Sequence, residues 1–316
     1  MNNNSYILDQ QFKNQQCSGK GMKAYIDMEV AHKRMKRRIL LDKVMRRLFS
    51  FTIVFALLVL GLLLYQVVSQ SLGWLDIQFL TSRLSISAEK AGIKGVIIGS
   101  ILLMVVVAPV TLFLGVGTAV YMEEYSKKGA LQSLINMNIS NLSGVPSVIF
   151  GLLGLTVFGR LFQLGSSVLA GGLTLSLLVL PIIVVSSQEA LRSVPNFLRE
   201  ASYALGATKW TTVWKIVLPT ALPGIMTGAI LSLSRAIGET APLVVLGIPT
   251  LILRTPSNIM DDFTSLPIQI YYWTLDTVLT KEYANLAAAT IVVLLVLLFI
   301  MNSVAIVIRN KFQTRY

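Results

Sequence analysis

Long apolar runs alternate with short charged or proline- and glycine-containing joints along most of this chain. A helix needs about 20 apolar residues in succession to cross the hydrocarbon core of a bilayer. The pattern predicts six such spans, at Leu48–Val68, Ile93–Tyr121, Leu134–Phe158, Val168–Val185, Leu222–Leu246 and Leu286–Ile308. We therefore expect an all-α fold, a polytopic membrane helical bundle that occupies residues 48–316.

Composition supports the membrane class. Hydrophobic residues make up 54% of the chain and charged residues 13%, which is too apolar a balance for a soluble domain of 316 residues. The single cysteine, Cys17, excludes an intrachain disulfide. The sequence has no G-x-x-x-x-G-K-[ST] phosphate loop, no H-E-x-x-H and no paired-cysteine metal motif. We therefore expect a transport subunit that is not an enzyme, hydrolyses no ATP itself, and binds neither a metal nor another cofactor.

Positive charge is concentrated before the first predicted span. Residues 1–47 carry 11 Lys or Arg residues against four acidic residues, so this basic segment should stay in the cytoplasm. That placement puts 20 basic residues inside and six outside, with Arg235 left within a span. We predict a multi-pass protein of the inner or plasma membrane with both termini in the cytoplasm. The basic segment is interpreted as an orientation signal, with binding to anionic lipid as the alternative; nucleic acid is not expected as a partner.

The longest predicted cytoplasmic connection comprises residues 186–219, and its pattern indicates two short helices. The apolar face of the first is formed by Leu198, Ala201 and Leu205. Gly206 can adopt the left-handed conformation that ends a helix, and Thr208 can cap the next one. The apolar face of the second is formed by Trp210, Val213, Trp214 and Val217, before Pro219 ends the run. Such an element suits either the lipid headgroup layer or a groove in a partner protein, and the pattern leaves both open.

Two ionisable residues fall inside the fifth predicted span, Arg235 near its middle and Glu239 one turn later. An arginine at the centre of a membrane helix costs about 2.5–3.5 kcal/mol, so such a side chain usually faces the bundle interior or a wet cavity. A guanidinium is always charged and its planar fork matches phosphate oxygens. We predict that Arg235, Glu239 and Thr240 line a substrate pathway for an anion. The alternative is that Arg235 and Glu239 neutralise each other or bridge to a neighbouring helix.

A possible hinge lies beside this pair. Pro242 cannot donate to the carbonyl of Gly238, which predicts a local kink, although membrane helices also tolerate prolines in purely structural roles. We predict a hinge formed by Gly238 and Pro242. By contrast, the acidic pair Glu123-Glu124 is predicted to be part of a solvated turn without individual function.

The predicted cytoplasmic connection also carries a recognisable motif. Its residues Glu200-Ala201-Ser202, Gly206 and Ile216-Val217-Leu218-Pro219 resemble the EAA loop of ABC-importer permeases, E-A-A-x3-G-x9-I-x-L-P, with serine at the third position. In that family the loop docks into a groove of the ATP-binding subunit and transmits its movement. The resemblance implies a type I ABC importer permease fold. It assigns ATPase coupling to Glu200, Ala201, Gly206, Ala207, Ile216, Leu218 and Pro219.

Three further segments are similar to the PstA family of phosphate-importer permeases: GVPSVIFGLLG from Gly144, SRAIGETAPL from Ser234 and LPIQIYYW from Leu266. The resemblance implies half of the membrane path of an ATP-driven inorganic phosphate importer. It also implies a PstC-like second permease, a dimer of PstB-like ATPase subunits, an extracytoplasmic PstS-like phosphate-binding protein and a lipid membrane as partners. A PstC-type subunit, a permease for another oxyanion and a gradient-driven anion transporter remain as alternatives; the last would have no need of the EAA loop.

Overall fold

The computed structural model describes residues 28–311 except 128, 250, 251, 253 and 279, so most of the basic segment at 1–47 lies outside the described residues. Regular structure within the described part is helical, and one isolated bridge joins Ser167 to Asp262. The chain divides into two compact units, residues 1–65 and residues 66–316. The predicted all-α helical fold is confirmed.

The described residues form twelve α-helices, besides a short 3₁₀-helix at Ala88–Lys90. They are α1 Met28–Ser71, α2 Ile77–Thr81, α3 Lys94–Val120, α4 Ala130–Leu142, α5 Ser147–Leu153, α6 Val168–Arg192, α7 Asn196–Ala204, α8 Lys209–Thr212, α9 Leu218–Gly238, α10 Ala241–Leu246, α11 Leu266–Asp276 and α12 Glu282–Lys311. Wider π-helical turns follow α3 and α5 and join α8 to α9, at Tyr121–Tyr125, Gly154–Leu161 and Val213–Val217. Because of these turns, several predicted boundaries fall inside continuous helical segments.

Five helices of the described part are long and apolar enough to cross a membrane, and the number rises to six if one bent pair counts as a single span. That pair, Gln132–Leu142 with Ser147–Leu161, is bent by 104°. The span predicted over Leu134–Phe158 corresponds to this bent pair, and the prediction did not include the bend. Pro146 explains the break, because a residue that precedes proline is pushed away from helical geometry.

The fifth span was predicted over Leu222–Leu246 with a local kink beside Pro242. The helix long enough to span is instead Lys209–Gly238, and the chain is interrupted before Pro242 and not only kinked. Helix α9 ends at Gly238 and a separate helix, α10, begins at Ala241. Pro242 is in the first turn of α10, where its missing N–H needs no intrahelical partner. Arg235 consequently lies in the last turn of α9 and not near the middle of a span.

The centre of the second unit is α6, which packs against α3 on one side and α9 on another. Small residues let these helices approach closely: a Cβ on Gly172 would lie 2.5 Å from Val106, and one on Gly115 would lie 2.6 Å from Ile183. Without a hydrophobic driving force between helices in lipid, such close backbone packing is a main source of association. The three packed helices α3, α6 and α9 hold the two regions described below, the segment between α6 and α8 and the break between α9 and α10.

Candidate functional site

The EAA segment forms a projecting helical hairpin at one end of α6. Helix α7 ends at Ala204, and Gly206 follows with φ of +80°, the left-handed conformation expected of it. Thr208 caps α8 by accepting a hydrogen bond from the backbone N–H of Thr211 at 3.3 Å. The predicted first helix, its glycine end and the threonine cap are confirmed.

The connection outside the membrane helices is shorter than predicted. Helix α6 continues to Arg192, and one helical segment runs from Lys209 to Gly238, so 193–208 alone lie outside these two spans. Pro219 does not end the second helix. It is in the first turn of α9, where proline is tolerated, so the helix passes through it.

The predicted coupling residues therefore fall into two groups. Glu200, Ala201 and Gly206 are exposed on the hairpin, with Ala207 half-buried beside them. The other three lie within the long helical segment Lys209–Gly238, and they are Ile216, Leu218 and Pro219. A docking role for all seven residues stays a prediction, but only the first group projects from the bundle.

Exposed apolar side chains surround the first group. Leu205 is 90% exposed, and Phe197 and Tyr203 are also exposed on α7. Large apolar side chains clustered at a projecting tip are typical of a surface that another protein covers. Phe197 and Tyr203 were not among the predicted coupling residues, because they lie outside the apolar face that the sequence predicted for this helix.

The hairpin is braced internally by a buried hydroxyl pair. The side-chain oxygens of Ser202 and Thr212 are 2.8 Å apart, and both residues are buried. Ser202 is the position where this chain differs from the alanine of the EAA motif. The brace therefore ties α7 to α8 by a contact that alanine could not make.

The predicted apolar face of the second helix is split in two. Val213 and Val217 are buried, whereas Trp210 and Trp214 are exposed and border an apolar groove of about 670 Å³ between α3 and the start of α9. The two indole rings are 5.3 Å apart. The split follows from the π-helical turn Val213–Val217, because a wider turn shifts residues off the faces that a regular 3.6-residue period would give them.

The acidic pair at the end of α3 is not a solvated turn. Glu123 accepts a hydrogen bond from Arg192 at 2.6 Å, and the buried Glu124 accepts one from Arg199 at 2.9 Å. Arg192 is the last residue of α6 and Arg199 is on α7, so both ion pairs join separate elements. Sequence reasoning missed these contacts because the partners are more than 65 positions apart.

Arg235 and Glu239 form a local ion pair at the break between α9 and α10. The Nε of Arg235 donates to Oε1 of Glu239 at 3.2 Å, and the two side chains are 59% and 17% exposed. This is the local pairing that was the alternative to a pathway role, although the pairing does not exclude that role. Thr240 is half-buried, and its carbonyl accepts from Leu243 and Val244 at the start of α10.

A second interrupted helix lies against this break. A Cβ on Gly151, in α5, would lie 2.7 Å from the carbonyl oxygen of Pro242 and 2.8 Å from its Cα. The bent pair that contains α5 therefore touches the α9–α10 break directly through backbone. Gly238, by contrast, has open space around it and no positive φ, so its conformation does not itself require glycine.

A polar pocket of about 920 Å³ lies near the loop that precedes α11 and is bordered by Arg83, Arg254 and Asp261 among others. Asp261 accepts hydrogen bonds from the backbone N–H groups of Ser257 at 2.8 Å and Asn258 at 2.9 Å. These bonds, the one from Ser257 foremost, lower the pKa of Asp261. Charges of both signs therefore border this pocket. Within the described part of the chain no group of three or more His, Cys, Asp or Glu residues could hold a metal ion.

The chain is similar in sequence to a known family of membrane proteins. Residues 111–313 match the family described as binding-protein-dependent transport system inner membrane component. The chain is 36% identical over 211 residues to the probable ABC transporter permease protein YqgI of Bacillus subtilis (strain 168), a match that covers 66% of this chain and 71% of that protein. It is 36% identical over 216 residues to the phosphate transport system permease protein PstA 1 of Mycobacterium tuberculosis (strain CDC 1551 / Oshkosh), which covers 66% and 70%.

The fold is also similar to that of a bacterial ABC transporter involved in the import of the acidic polysaccharide alginate. The TM-score is 0.63 at 14% identity, and the match covers 89% of this chain and 100% of that chain. At this identity the likeness concerns the fold alone. Because the family match covers more than half of its length, this multi-pass chain belongs to the inner membrane components of binding-protein-dependent transport systems, the permeases of ABC importers.

Proposed function

We propose that this chain is one half of the membrane path of an ATP-driven importer of inorganic phosphate. The observation that carries the proposal is the exposed α7 hairpin with its EAA motif, in a chain that contains no nucleotide-binding motif of its own. The relatives of the PstA type support phosphate as the cargo. A helical hairpin that presents exposed apolar residues fits a groove on a separate ATPase.

The partners follow from this assignment. A dimer of PstB-like ATPase subunits docks at Glu200, Ala201, Gly206 and the exposed apolar residues of α7. A PstC-like second permease supplies the other half of the path, and a PstS-like phosphate-binding protein delivers phosphate on the opposite side. The excess of basic residues in alternate loops supports cytoplasmic termini, which puts α7 on the same side as ATP.

The proposed path runs past the α9–α10 break. An interrupted helix leaves backbone groups that lipid cannot hydrogen-bond, so such a break is tolerated only where it is buried in protein or lines a water-filled cavity. Transporters place substrate sites at such breaks. Arg235, Glu239 and Thr240 lie at this break. Arg235 makes one hydrogen bond to the described residues, which leaves guanidinium donors for phosphate oxygens. Gly238 and Pro242, on either side of the break, are the proposed hinge.

The first experiment measures uptake of labelled phosphate in cells that carry Arg235→Gln, with Arg160→Gln as the matched control because Arg160 is an exposed arginine outside α9 and α10. Membrane levels and co-purification of the ATPase are measured in parallel. We expect uptake to vanish in Arg235→Gln and to persist in the control, with normal assembly in both. Uptake that persists in Arg235→Gln would remove this residue from the path.

A second experiment separates the alternatives. Competition by sulfate and molybdate distinguishes a phosphate path from one for another oxyanion, since a single arginine recognises all three. Depletion of ATP should abolish uptake, whereas a protonophore at constant ATP should leave it intact. The reverse result would favour a gradient-driven transporter.

A further inference from the structure

We propose that Arg199 is a positioning residue that ties the ATPase-docking helix α7 to the ends of α3 and α6 through its ion pair with Glu124. The inference rests on the proposed function, because it concerns how movement of a docked ATPase reaches the membrane helices. Its elements are one arginine on α7, one glutamate in the π-helical turn after α3, and backbone carbonyls at the end of α6.

The guanidinium of Arg199 uses all five of its N–H donors. Its Nε and Nη2 donate to Oε1 of Glu124 at 3.2 and 2.9 Å. Its Nη1 donates to the carbonyl of Val194 at 2.7 Å and to Oδ1 of Asn196 at 3.3 Å, and Nη2 also donates to the carbonyl of Leu191 at 3.0 Å. The carbonyls at a helix end have no intrahelical partner. One side chain on α7 therefore holds two separate membrane helices at their ends.

Burial makes this junction stiff. The Arg199 and Glu124 side chains are 17% and 7% exposed. If the pair separated, each group would remain buried as a charge without a partner, which is costly. A second pair, Arg192 with Glu123 at 2.6 Å, binds the same turn to the last residue of α6. Both acids belong to the π-helical turn Tyr121–Tyr125, a type of turn that recurs at functional sites.

The junction leads directly into the packed frame. Only three residues, 193–195, separate α6 from α7, so α7 is already tethered to α6. The Arg199–Glu124 pair adds a link to α3, which packs along α6 at Gly115 and Ile183. A displacement of α7 is thereby shared by α3 and α6 instead of being absorbed at the short connection. Coupling of this kind needs a contiguous network of packed or hydrogen-bonded groups, and these contacts supply one.

The test uses the complete transporter in liposomes, with ATPase, second permease and binding protein, and measures phosphate moved per ATP hydrolysed. The variants are Glu124→Gln, Arg199→Lys and the two combined. Glu124→Gln keeps the size of the side chain and removes its charge, whereas Arg199→Lys keeps the positive charge and removes the planar fork of donors. None of the three leaves a buried carboxylate without a cation. Glu189→Gln is the control, because Glu189 is exposed and pairs with Arg192 within one helix, so its loss leaves the ion pairs of Glu123 and Glu124 in place. We expect each variant to lower phosphate moved per ATP by about 2- to 30-fold, while ATPase docking and the control stay unchanged.

Two residues that act as one link give non-additive effects, so the combined variant should be no worse than the more severe single one. The proposal would be overturned if the losses of the two single variants multiplied in the combined variant. It would also be overturned if the variants moved as much phosphate per ATP as the wild type. Loss of assembly in all three variants would also overturn it, because the pair would then serve folding alone. A wild-type transporter that moves no phosphate with ATP would instead refute the proposed function, and this inference would fall with it.

Discussion

The two charged clusters of this permease are built in opposite ways. At the end of α6, Arg199 is mostly buried, bonds a glutamate on another helix and engages every donor it has. At the α9–α10 break, Arg235 is mostly exposed and makes a single bond to a glutamate four residues away, as far as the described residues show. There the helices are held by backbone contact, with Gly151 against Pro242.

The difference indicates what each cluster is available to do. An arginine whose donors are all satisfied by protein serves architecture and the transmission of movement. An arginine with unused donors beside a helix break can meet a passing oxyanion without first breaking a costly set of bonds. The same residue type therefore fits two roles, and the number and burial of its partners separate them.

The largest effect is expected at the buried pair. Arg199→Met should lower the free energy of unfolding by about 3–5 kcal/mol, because it leaves Glu124 buried without a cation. Denaturant or thermal unfolding of the purified protein in detergent measures it. Arg192→Met, which removes a more exposed arginine, is the comparison and should cost less. Equal losses would mean that burial does not distinguish the two pairs.

The backbone contact at the break is the next test. Gly151→Ala should cost about 1–3 kcal/mol, because the added Cβ would meet backbone atoms of Pro242 that cannot give way as a flexible side chain could. Gly117→Ala is the matched control, since nothing lies within 4 Å of its Cβ position in α3. Unfolding under the same conditions checks both. A neutral Gly151→Ala would show that the two interrupted helices are not held by close packing.

The hydroxyl brace of the hairpin should have a smaller effect. Ser202→Ala restores the alanine of the EAA motif but removes one of the two hydrogen bonds of the Thr212 hydroxyl, which keeps its bond to the Thr208 carbonyl, and should cost about 0.5–1.5 kcal/mol. Denaturant or thermal unfolding of the purified protein in detergent measures this difference. A Ser202→Ala protein as stable as wild type would count against the brace.

The smallest stability change is expected at the pathway pair. Arg235→Gln should alter the free energy of unfolding by less than about 1 kcal/mol, because exposed local ion pairs contribute little. Together with lost phosphate uptake, this result would mark Arg235 as functional and not structural. A stability loss as large as that of Arg199→Met would erase the contrast between the two clusters.

Several features were predictable from local pattern. The lengths of the apolar runs predicted a helical membrane protein. Gly206 predicted the left-handed end of α7, and Thr208 predicted the N-cap of α8. The errors also have local causes. Pro146 was included within a predicted span, although it lies where the helix is interrupted. At Pro242 a local kink was predicted, whereas one helix ends and another begins there. Pro219 was taken as a helix end, although it is in the first turn of α9.

The sequence by itself determined that this chain is a membrane protein, which motif it carries and which charged residues lie in or near its membrane helices. These properties depend on composition and short spacings. Only the tertiary structure decided which charges are partners. Glu124 meets Arg199 because α3 and α7 converge at the end of α6, and hydrogen bonds between residues 75 positions apart leave no periodic signal in the chain. The tertiary structure also distinguished Arg199, whose donors are all bonded to protein, from Arg235, which has donors unused by the described residues. Burial and the use of donors depend on neighbouring helices.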